Sequence, residues 1–167
     1  MALYYFDETG FSQTSCLPYG WSPAGQPTRL EKYSRSKRLN VLGFMSRHQK
    51  LICHSTEESV TTDTVIEAFD KLAQEKDPDK PAVVILDNAS VHRSKKFRKK
   101  QLELLGRGIW LIYLPAYSPE LNLIEILWRK IKYEWLPVSA YATFEALKAC
   151  VKNVLSEFGQ KYTIEFS

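Results

Sequence analysis

The sequence has few cysteines and no long apolar run, and both shortages exclude classes of protein. Its three cysteines, Cys16, Cys53 and Cys150, are odd in number and widely spaced, so they indicate neither a disulfide framework nor a zinc site. No apolar run is long enough to span a bilayer, and the N-terminus lacks the basic-then-apolar pattern of a secretion signal. We therefore expect a cytoplasmic protein with free thiols, associated at most with the nucleoid, and no membrane partner.

A strong excess of charge of one sign is also missing. The chain has 23 Lys and Arg against 19 Asp and Glu, which gives a formal net charge of +4. This mildly basic balance permits a nucleic-acid partner but does not demand one. There is no internal repeat and no low-complexity segment, and 167 residues suit a single domain spanning residues 1–167.

The order of predicted elements favours an α/β domain with a mixed sheet. Strands are predicted at residues 2–6, 39–45, 50–54, 82–86 and 109–114, a long loop at residues 12–28, and helices at residues 61–74, 94–105, 122–135 and 141–158. In the first strand, Asp7 shares a face with Leu3 and Tyr5, and Glu8 lies on the opposite face. Gly43 inside the second strand indicates a close approach of another group. The second and third strands form an antiparallel hairpin, and the last two are predicted as buried strands in strand–helix–strand units, which favour parallel pairing.

Three acidic residues lie where a carboxylate is costly to bury. Asp7 ends an apolar strand, Asp87 follows a buried strand at the end where α/β sheets bind ligands, and Glu125 lies at the margin of an apolar helix face. Clustered carboxylates repel one another, and a divalent cation such as Mg²⁺, which prefers oxygen ligands, relieves that repulsion. Two such ions can activate the attacking oxygen and stabilise the leaving oxygen of a phosphodiester.

Each acid taken alone also has a structural explanation. Asp7 can be a strand-end acid beside a turn, and Asp87 can cap the turn at residues 88–90. Glu125 can complete a capping box with Asn122. A metal site is favoured only by the three acids together, two of them at predicted strands and the third on a predicted helix.

The sequence contains two longer motifs, LDNASVH at residues 86–92 and LPAYSPELNLIEILW at residues 114–128. Both resemble the catalytic domain of mariner-superfamily DDE transposases, most closely their bacterial insertion-sequence branch. Residues 6–11, FDETGF, resemble the first catalytic segment of that family, and residues 19–25, YGWSPAG, resemble the stretch that follows it. Leu123 stands where the family often has proline. The similarity covers nearly the whole chain.

The resemblance implies a ribonuclease-H-like fold, with a mixed five-stranded sheet flanked by helices. Its first three strands are expected to be antiparallel and the last two to be parallel additions. The resemblance also implies that Asp7, Asp87 and Glu125 are the catalytic acids and bind two Mg²⁺ ions, for which Mn²⁺ substitutes, with Asp7 bridging both. Family members usually have helix-turn-helix segments before the catalytic domain. This chain begins almost at the first acid, so we expect that DNA-binding region to be absent from it.

The function implied is metal-dependent cleavage and strand transfer of an insertion sequence. The implied partners are double-stranded DNA at the transposon ends, a TA target and a second copy of the chain in the active complex. Two alternatives stay open: a catalytically silent remnant that binds DNA or dimerises, and a general ribonuclease-H-like nuclease.

Further residues are candidates for supporting the acids or contacting DNA. Basic residues gather at residues 29–50 and 93–100, which suits a groove that follows phosphates, although a run of charge is usually a solvated surface. His92 can orient a phosphate or a water on the metal, or can stabilise its own loop. The candidates are Asn88, His92, Tyr117, Ser118, Asn122, Trp21, Arg38, Arg93 and Lys96.

Overall fold

A computed structural model of the protein describes residues 1–14, 24–25, 37–115 and 118–166. They contain a five-stranded sheet in the order β3-β2-β1-β4-β5. The strands are β1 (Ala2–Ser12), β2 (Arg38–Met45), β3 (Leu51–Thr56), β4 (Ala82–Leu86) and β5 (Ile109–Tyr113). The β1–β2 and β2–β3 pairs are antiparallel, whereas β4 pairs parallel to β1 and β5 parallel to β4. The predicted mixed sheet is therefore confirmed.

Four α-helices and several short helical turns connect and follow the strands. The α-helices are α1 (Thr62–Glu75), α2 (Lys95–Gly106), α3 (Ile124–Lys130) and α4 (Phe144–Ser156). The short elements are 3₁₀-helices at Ser90–Arg93, Pro119–Leu121 and Val138–Ala142, and a π-helix at Ile131–Trp135. Within the described ranges, no helix has the length and apolar character needed to cross a membrane.

Side-chain caps determine where three of these helices begin. Thr61, Ser94 and Thr143 each accept a hydrogen bond from a backbone N–H of the following first turn. Thr61 thus caps α1, which begins one residue later than predicted. The last helix starts three residues later than predicted because Thr143 caps it.

The helices form one layer on each face of the sheet. On one face, α1 and α2 enclose a core in which the rings of Phe6, Phe44, Phe69 and Phe97 contact one another. On the other face, α3, the π-helix and α4 pack against the apolar side chains of β1 and β2. Asp7 lies on the face under α3, and Glu8, the next residue, lies on the face under α1 and α2 because strand side chains alternate.

Two strands differ from their predictions. β1 continues through Gly10 to Ser12, because β2 pairs with it along that whole length. β5 was predicted to be buried on both faces, but Trp110 is 45% exposed and Ile112 is 52% exposed. The prediction was wrong because α3 and α4 pack mainly against β1 and β2.

Candidate active site

Asp7 occupies the interior of β1 and faces α3. Its Oδ2 accepts a hydrogen bond from the indole N–H of Trp128, with an Nε1–Oδ2 distance of 3.2 Å. Burial, followed by the negative charges of Glu125, Glu8 and Asp87, raises the pKa of Asp7 from 3.8 to about 7. The alternative of a strand-end acid is wrong, since the strand continues beyond Asp7. This carboxylate lies where its negative charge is unfavourable.

A glycine in the neighbouring strand makes the contact between Trp128 and Asp7 possible. Gly43 of β2 pairs directly with Asp7. A Cβ atom at Gly43 would lie 2.8 Å from Cη2 of Trp128 and 3.1 Å from Cδ1 of Ile124. The close approach predicted at Gly43 is therefore confirmed, and the approaching group is the ring that orients Asp7.

Glu125 lies in the first turn of α3 and shares an open cavity with Asp7. The cavity has a volume of about 260 Å³ and is also lined by Arg129, Lys132 and Tyr133. These three residues were not among the predicted contacts, although they follow Glu125 at helical spacing and so share its side of the helix. Two cations beside two carboxylates form a site that can receive a phosphodiester next to a metal ion.

The predicted capping box of Glu125 is absent from the described contacts. The N-cap of α3 is Leu123, which makes no side-chain capping bond. The side chain of Asn122 instead donates to the backbone oxygen of Phe6 at 2.9 Å. Asn122 is buried, with 4% exposure. It fixes the start of α3 against the residue that precedes Asp7.

Asp87 follows β4 and is held by two hydrogen bonds. Its Oδ1 lies 3.0 Å from the ring Nδ1 of His92 and accepts the backbone N–H of Ala89 at 3.1 Å. The bond from His92 and, after it, the bond from Ala89 lower the pKa of Asp87. The turn-capping explanation is thus confirmed as a contact. It does not exclude a ligand role, because both bonds end on Oδ1 and the carboxylate has a second oxygen.

His92 lies beneath the site and is 2% exposed. The centroid of its ring is 5.6 Å from that of Phe6 and 5.8 Å from that of Phe97. Its second nitrogen, Nε2, faces Oε2 of Glu8 at 3.9 Å. Burial, ahead of the charge of Asp87, raises the pKa of Glu8, although His92 lowers it in part. His92 therefore supports Asp87 from below and is not exposed to DNA.

Asn88 and Ser118 contribute to the loops around the site. The side-chain amide of Asn88 donates to the backbone oxygen of Leu114, which ties the residue after Asp87 to the loop that follows β5. The backbone oxygen of Ser118 accepts the N–H of Leu121 at 3.2 Å. Asn88 thus supports the position of the Asp87 loop.

Arg38 lies beside the site on the α1 side of β1. Its guanidinium lies across Gly10, and it lines a cavity of about 300 Å³ together with Glu8 and Asn40. Of the other predicted contacts, Trp21, Tyr117 and the side chain of Arg93 lie outside the described residues.

The basic run on α2 is partly neutralised within the protein. Lys96 forms an ion pair with Asp63 of α1. The Nζ atom of Lys100, whose side chain is 9% exposed, lies 2.7 Å from both Asp70 and Glu103. Lys100 therefore joins α1 to α2 and is not available to phosphate, and Lys96 reaches DNA only by giving up its ion pair.

The oxygen donors of the site suit a hard divalent cation. Asp7 and Glu125 line one cavity, and Asp87 is near enough for its charge to raise the pKa of Asp7. A cation would relieve this repulsion. Among the described residues, however, no three His, Cys, Asp or Glu side chains already form a group that could hold a metal ion. The fold gathers the acids in one region but does not close a coordination shell.

Comparison with known proteins identifies relatives of the whole domain. A family model described as DDE superfamily endonuclease matches residues 2–148. No curated protein sequence matches the chain. A solved Mos1 transposase paired-end complex with left transposon end has a TM-score of 0.63 and 16% identity, and the match covers 93% of this chain and 48% of that one.

Two further solved structures are similar. The Mos1 mariner paired end complex with Mn has a TM-score of 0.62 and 15% identity, over 93% of this chain and 48% of that one. The catalytic domain of Mos1 mariner transposase has a TM-score of 0.59 and 16% identity, over 93% of this chain and 70% of that one. The chain thus spans about half the length of the Mos1 chains in the two paired-end complexes. At this identity the likeness shows the fold, and the predicted ribonuclease-H-like fold is confirmed.

Proposed function

Because the chain belongs to the DDE superfamily endonuclease family, we propose that it is the catalytic domain of a DNA transposase of the mariner superfamily. The observation that supports this most directly is the environment of Asp7. Its partly buried carboxylate shares an open cavity with Glu125 and two cationic side chains, and burial, ahead of the charges of the other acids, raises its pKa. A site of this kind suits metal-assisted attack on a phosphodiester.

We propose that Asp7, Asp87 and Glu125 would hold the divalent metal, two Mg²⁺ ions, through their carboxylate oxygens. One similar structure is the Mos1 mariner paired end complex with Mn, and the all-oxygen donor set suits Mg²⁺ equally. When bound, the ions would activate the attacking oxygen and stabilise the leaving oxygen. Glu125 is exposed, so its side chain can rotate towards a shared ion at little cost. Asp87 is held through Oδ1 and would offer its second oxygen.

The residues of the chain would act by holding and orienting the reacting groups. Arg129 and Lys132 would bind the phosphates on either side of the scissile bond, while Trp128 and His92 hold Asp7 and Asp87. Water would attack phosphorus at the transposon end as the bond to the 3′ oxygen breaks, which leaves a 3′-hydroxyl. That hydroxyl would then attack a target phosphodiester, forming a new bond to phosphorus and displacing the 3′ oxygen of the target.

The proposed partners follow from the family and the charge of the site. They are double-stranded DNA at the transposon ends, a TA target and a second copy of the chain in the active complex. A transposon end is present in one of the similar complexes. We propose that residues 1–167 form one catalytic domain, and a bacterial insertion sequence remains the predicted source.

The test is metal-dependent nicking of supercoiled plasmid DNA by the wild-type chain and by Asp87→Asn. Asparagine keeps an oxygen that can accept the bonds from His92 and Ala89, so we expect the variant to fold. Loss of one metal ligand is expected to reduce nicking about a hundredfold or more in Mn²⁺. Asp79→Asn, at an exposed acid in the turn before β4, is the matched control and should nick normally.

Three results would contradict the proposal. Undiminished nicking by Asp87→Asn would refute the assignment of the acids. Binding of DNA by the wild-type chain without any nicking would favour the silent remnant. Cleavage of RNA–DNA hybrid in preference to duplex DNA would favour a general ribonuclease-H-like nuclease.

A further inference from the structure

A chain of three side chains, with the buried ring of His92 at its centre, connects the strand of Asp7 with the loop of Asp87. It runs from Oε2 of Glu8 to Nε2 of His92 over 3.9 Å, and from Nδ1 of His92 to Oδ1 of Asp87 over 3.0 Å. We propose that Glu8 is a positioning residue that fixes the orientation of Asp87 through the ring of His92. The proposal rests on the proposed function in taking Asp87 as a metal ligand.

The packing of His92 leaves its ring little freedom to turn. Its side chain is 1% exposed and lies between Phe6 and Phe97. Its backbone is also held, because its N–H donates to the oxygen of Ala89 at 3.0 Å and its oxygen accepts from the hydroxyl of Tyr113 at 3.2 Å. The two ring nitrogens therefore have separate fixed neighbours, Asp87 on one side and Glu8 on the other.

Two buried polar atoms without a hydrogen bond face one another in this region. Within the described part of the chain, Oε2 of Glu8 and Nε2 of His92 are buried and make no hydrogen bond. A buried polar atom without a partner costs about 1–3 kcal/mol. At 3.9 Å the two atoms are beyond hydrogen-bond length but within reach of a small movement. A small movement would therefore let each atom complete the missing hydrogen bond of the other.

The position of Glu8 in the sheet explains why it acts on Asp87 rather than on Asp7. Glu8 follows Asp7 on β1, so its side chain points to the opposite face, where His92 lies. Asp87 sits on a loop with 54% of its side chain exposed, so it needs a restraint from the fold. Partners that orient a metal ligand typically contribute 10–100-fold to metal affinity. Because Glu8 also borders the cavity of Asp7, a direct ligand role is the competing explanation.

The contact can be tested first in the metal-free protein by nitrogen-15 spectra of the histidine rings. The chain has three histidines, so each ring can be assigned. Glu8→Gln is expected to shift the ring nitrogens of His92 and to leave the other two unchanged. Glu67→Gln is the matched control, because Glu67 lies 3.5 Å from Nε2 of His54 and should move that ring alone. An unchanged His92 spectrum in Glu8→Gln would overturn the proposal.

Mn²⁺ binding by Glu8→Gln, His92→Asn and the double variant then tests the role. Asparagine can place its amide near the position of Nδ1, towards Asp87, but does not reach Glu8. Glu8→Gln should weaken Mn²⁺ binding about 10–100-fold in the wild-type background and have no further effect in His92→Asn.

The outcomes separate this proposal from the proposed function. Equal losses from Glu8→Gln in both backgrounds would overturn the positioning role, because Glu8 would then act independently, as a direct ligand does. A wild-type chain that binds no Mn²⁺ would overturn the proposed function and the positioning role together. If His92→Asn fails to fold, the spectrum and the Mn²⁺ affinity of Glu8→Gln decide the question. Shifted ring nitrogens of His92 together with weaker Mn²⁺ binding would support the positioning role. An unchanged spectrum or an unchanged Mn²⁺ affinity would refute it.

Discussion

Replacing Asp7 with asparagine is expected to stabilise the metal-free protein while removing its affinity for metal. Asparagine has nearly the shape of aspartate, and its oxygen can still accept the hydrogen bond of Trp128. The variant therefore removes the negative charge and little else. A carboxylate that is partly buried beside other acids is held at a cost when no cation is bound, and this variant measures that cost.

The magnitude follows from the pKa of Asp7, which rises from 3.8 to about 7 on folding. The folded protein thus holds this proton more tightly than the unfolded chain does, and stability is lost as pH rises between those values. A pKa difference of one corresponds to about 1.4 kcal/mol, so ionising Asp7 in the folded protein costs about 4 kcal/mol of stability at most. Partial exposure of the carboxylate reduces this, and we expect roughly 2–4 kcal/mol above neutral pH.

The assay is urea unfolding of both proteins in chelator at a series of pH values. The free energy of unfolding of Asp7→Asn minus that of the wild type should be near zero at about pH 4. It should rise with pH and level off above about pH 7. Mn²⁺ at a hundredfold excess over its Kd should then stabilise the wild type by about 2.7 kcal/mol and leave the variant unchanged.

Asp79→Asn provides the matched control, because this acid is exposed and its replacement should change stability by less than about 0.5 kcal/mol. A difference for Asp7→Asn that is flat with pH, or a destabilised variant at high pH, would refute the reasoning. Either result would mean that the carboxylate of Asp7 is not held at a cost.

Two further predictions concern the contact that orients Asp7. Trp128→Phe removes the indole N–H but keeps an aromatic ring, so Mn²⁺ binding by titration calorimetry should weaken about 10–100-fold; unchanged affinity would show that the bond does not position Asp7. Gly43→Ala places a Cβ 2.8 Å from Trp128 and should cost about 1–3 kcal/mol in urea unfolding. Gly106→Ala is its control, since a Cβ there meets nothing within 4 Å, and equal effects of the two alanines would contradict the steric explanation.

Local patterns were sufficient for most elements of the fold. The apolar run that forms β4 ends on Asp87, and the helical spacing of Val65, Phe69 and Leu72 indicates α1, as observed. Such patterns are short-range, because a strand or helix repeats its buried face every few residues. The motifs likewise marked Asp7, Asp87 and Glu125 as the acids to examine, and the fold brings them to one region.

The partners of polar side chains were decided only by the tertiary structure. The spacing of Asn122 and Glu125 indicates a local cap, yet the amide of Asn122 bonds to the oxygen of Phe6, far away in the chain. Trp128 belongs to one of the motifs, but its indole N–H donates to Asp7, which lies 121 residues earlier in the chain. The sequence did not indicate a role for Glu8, because no residue near it predicts that His92 packs beneath it.

The sequence by itself thus determined the order of strands and helices, the family resemblance and the three acids. The tertiary structure alone decided that one face of β5 stays exposed, that Lys100 is buried between two acids, and that Glu8 reaches Asp87 through His92. The physical reason is that the apolar periodicity of a strand or helix depends only on residues close together in the chain. The partner of a buried polar group depends instead on which distant element packs against it.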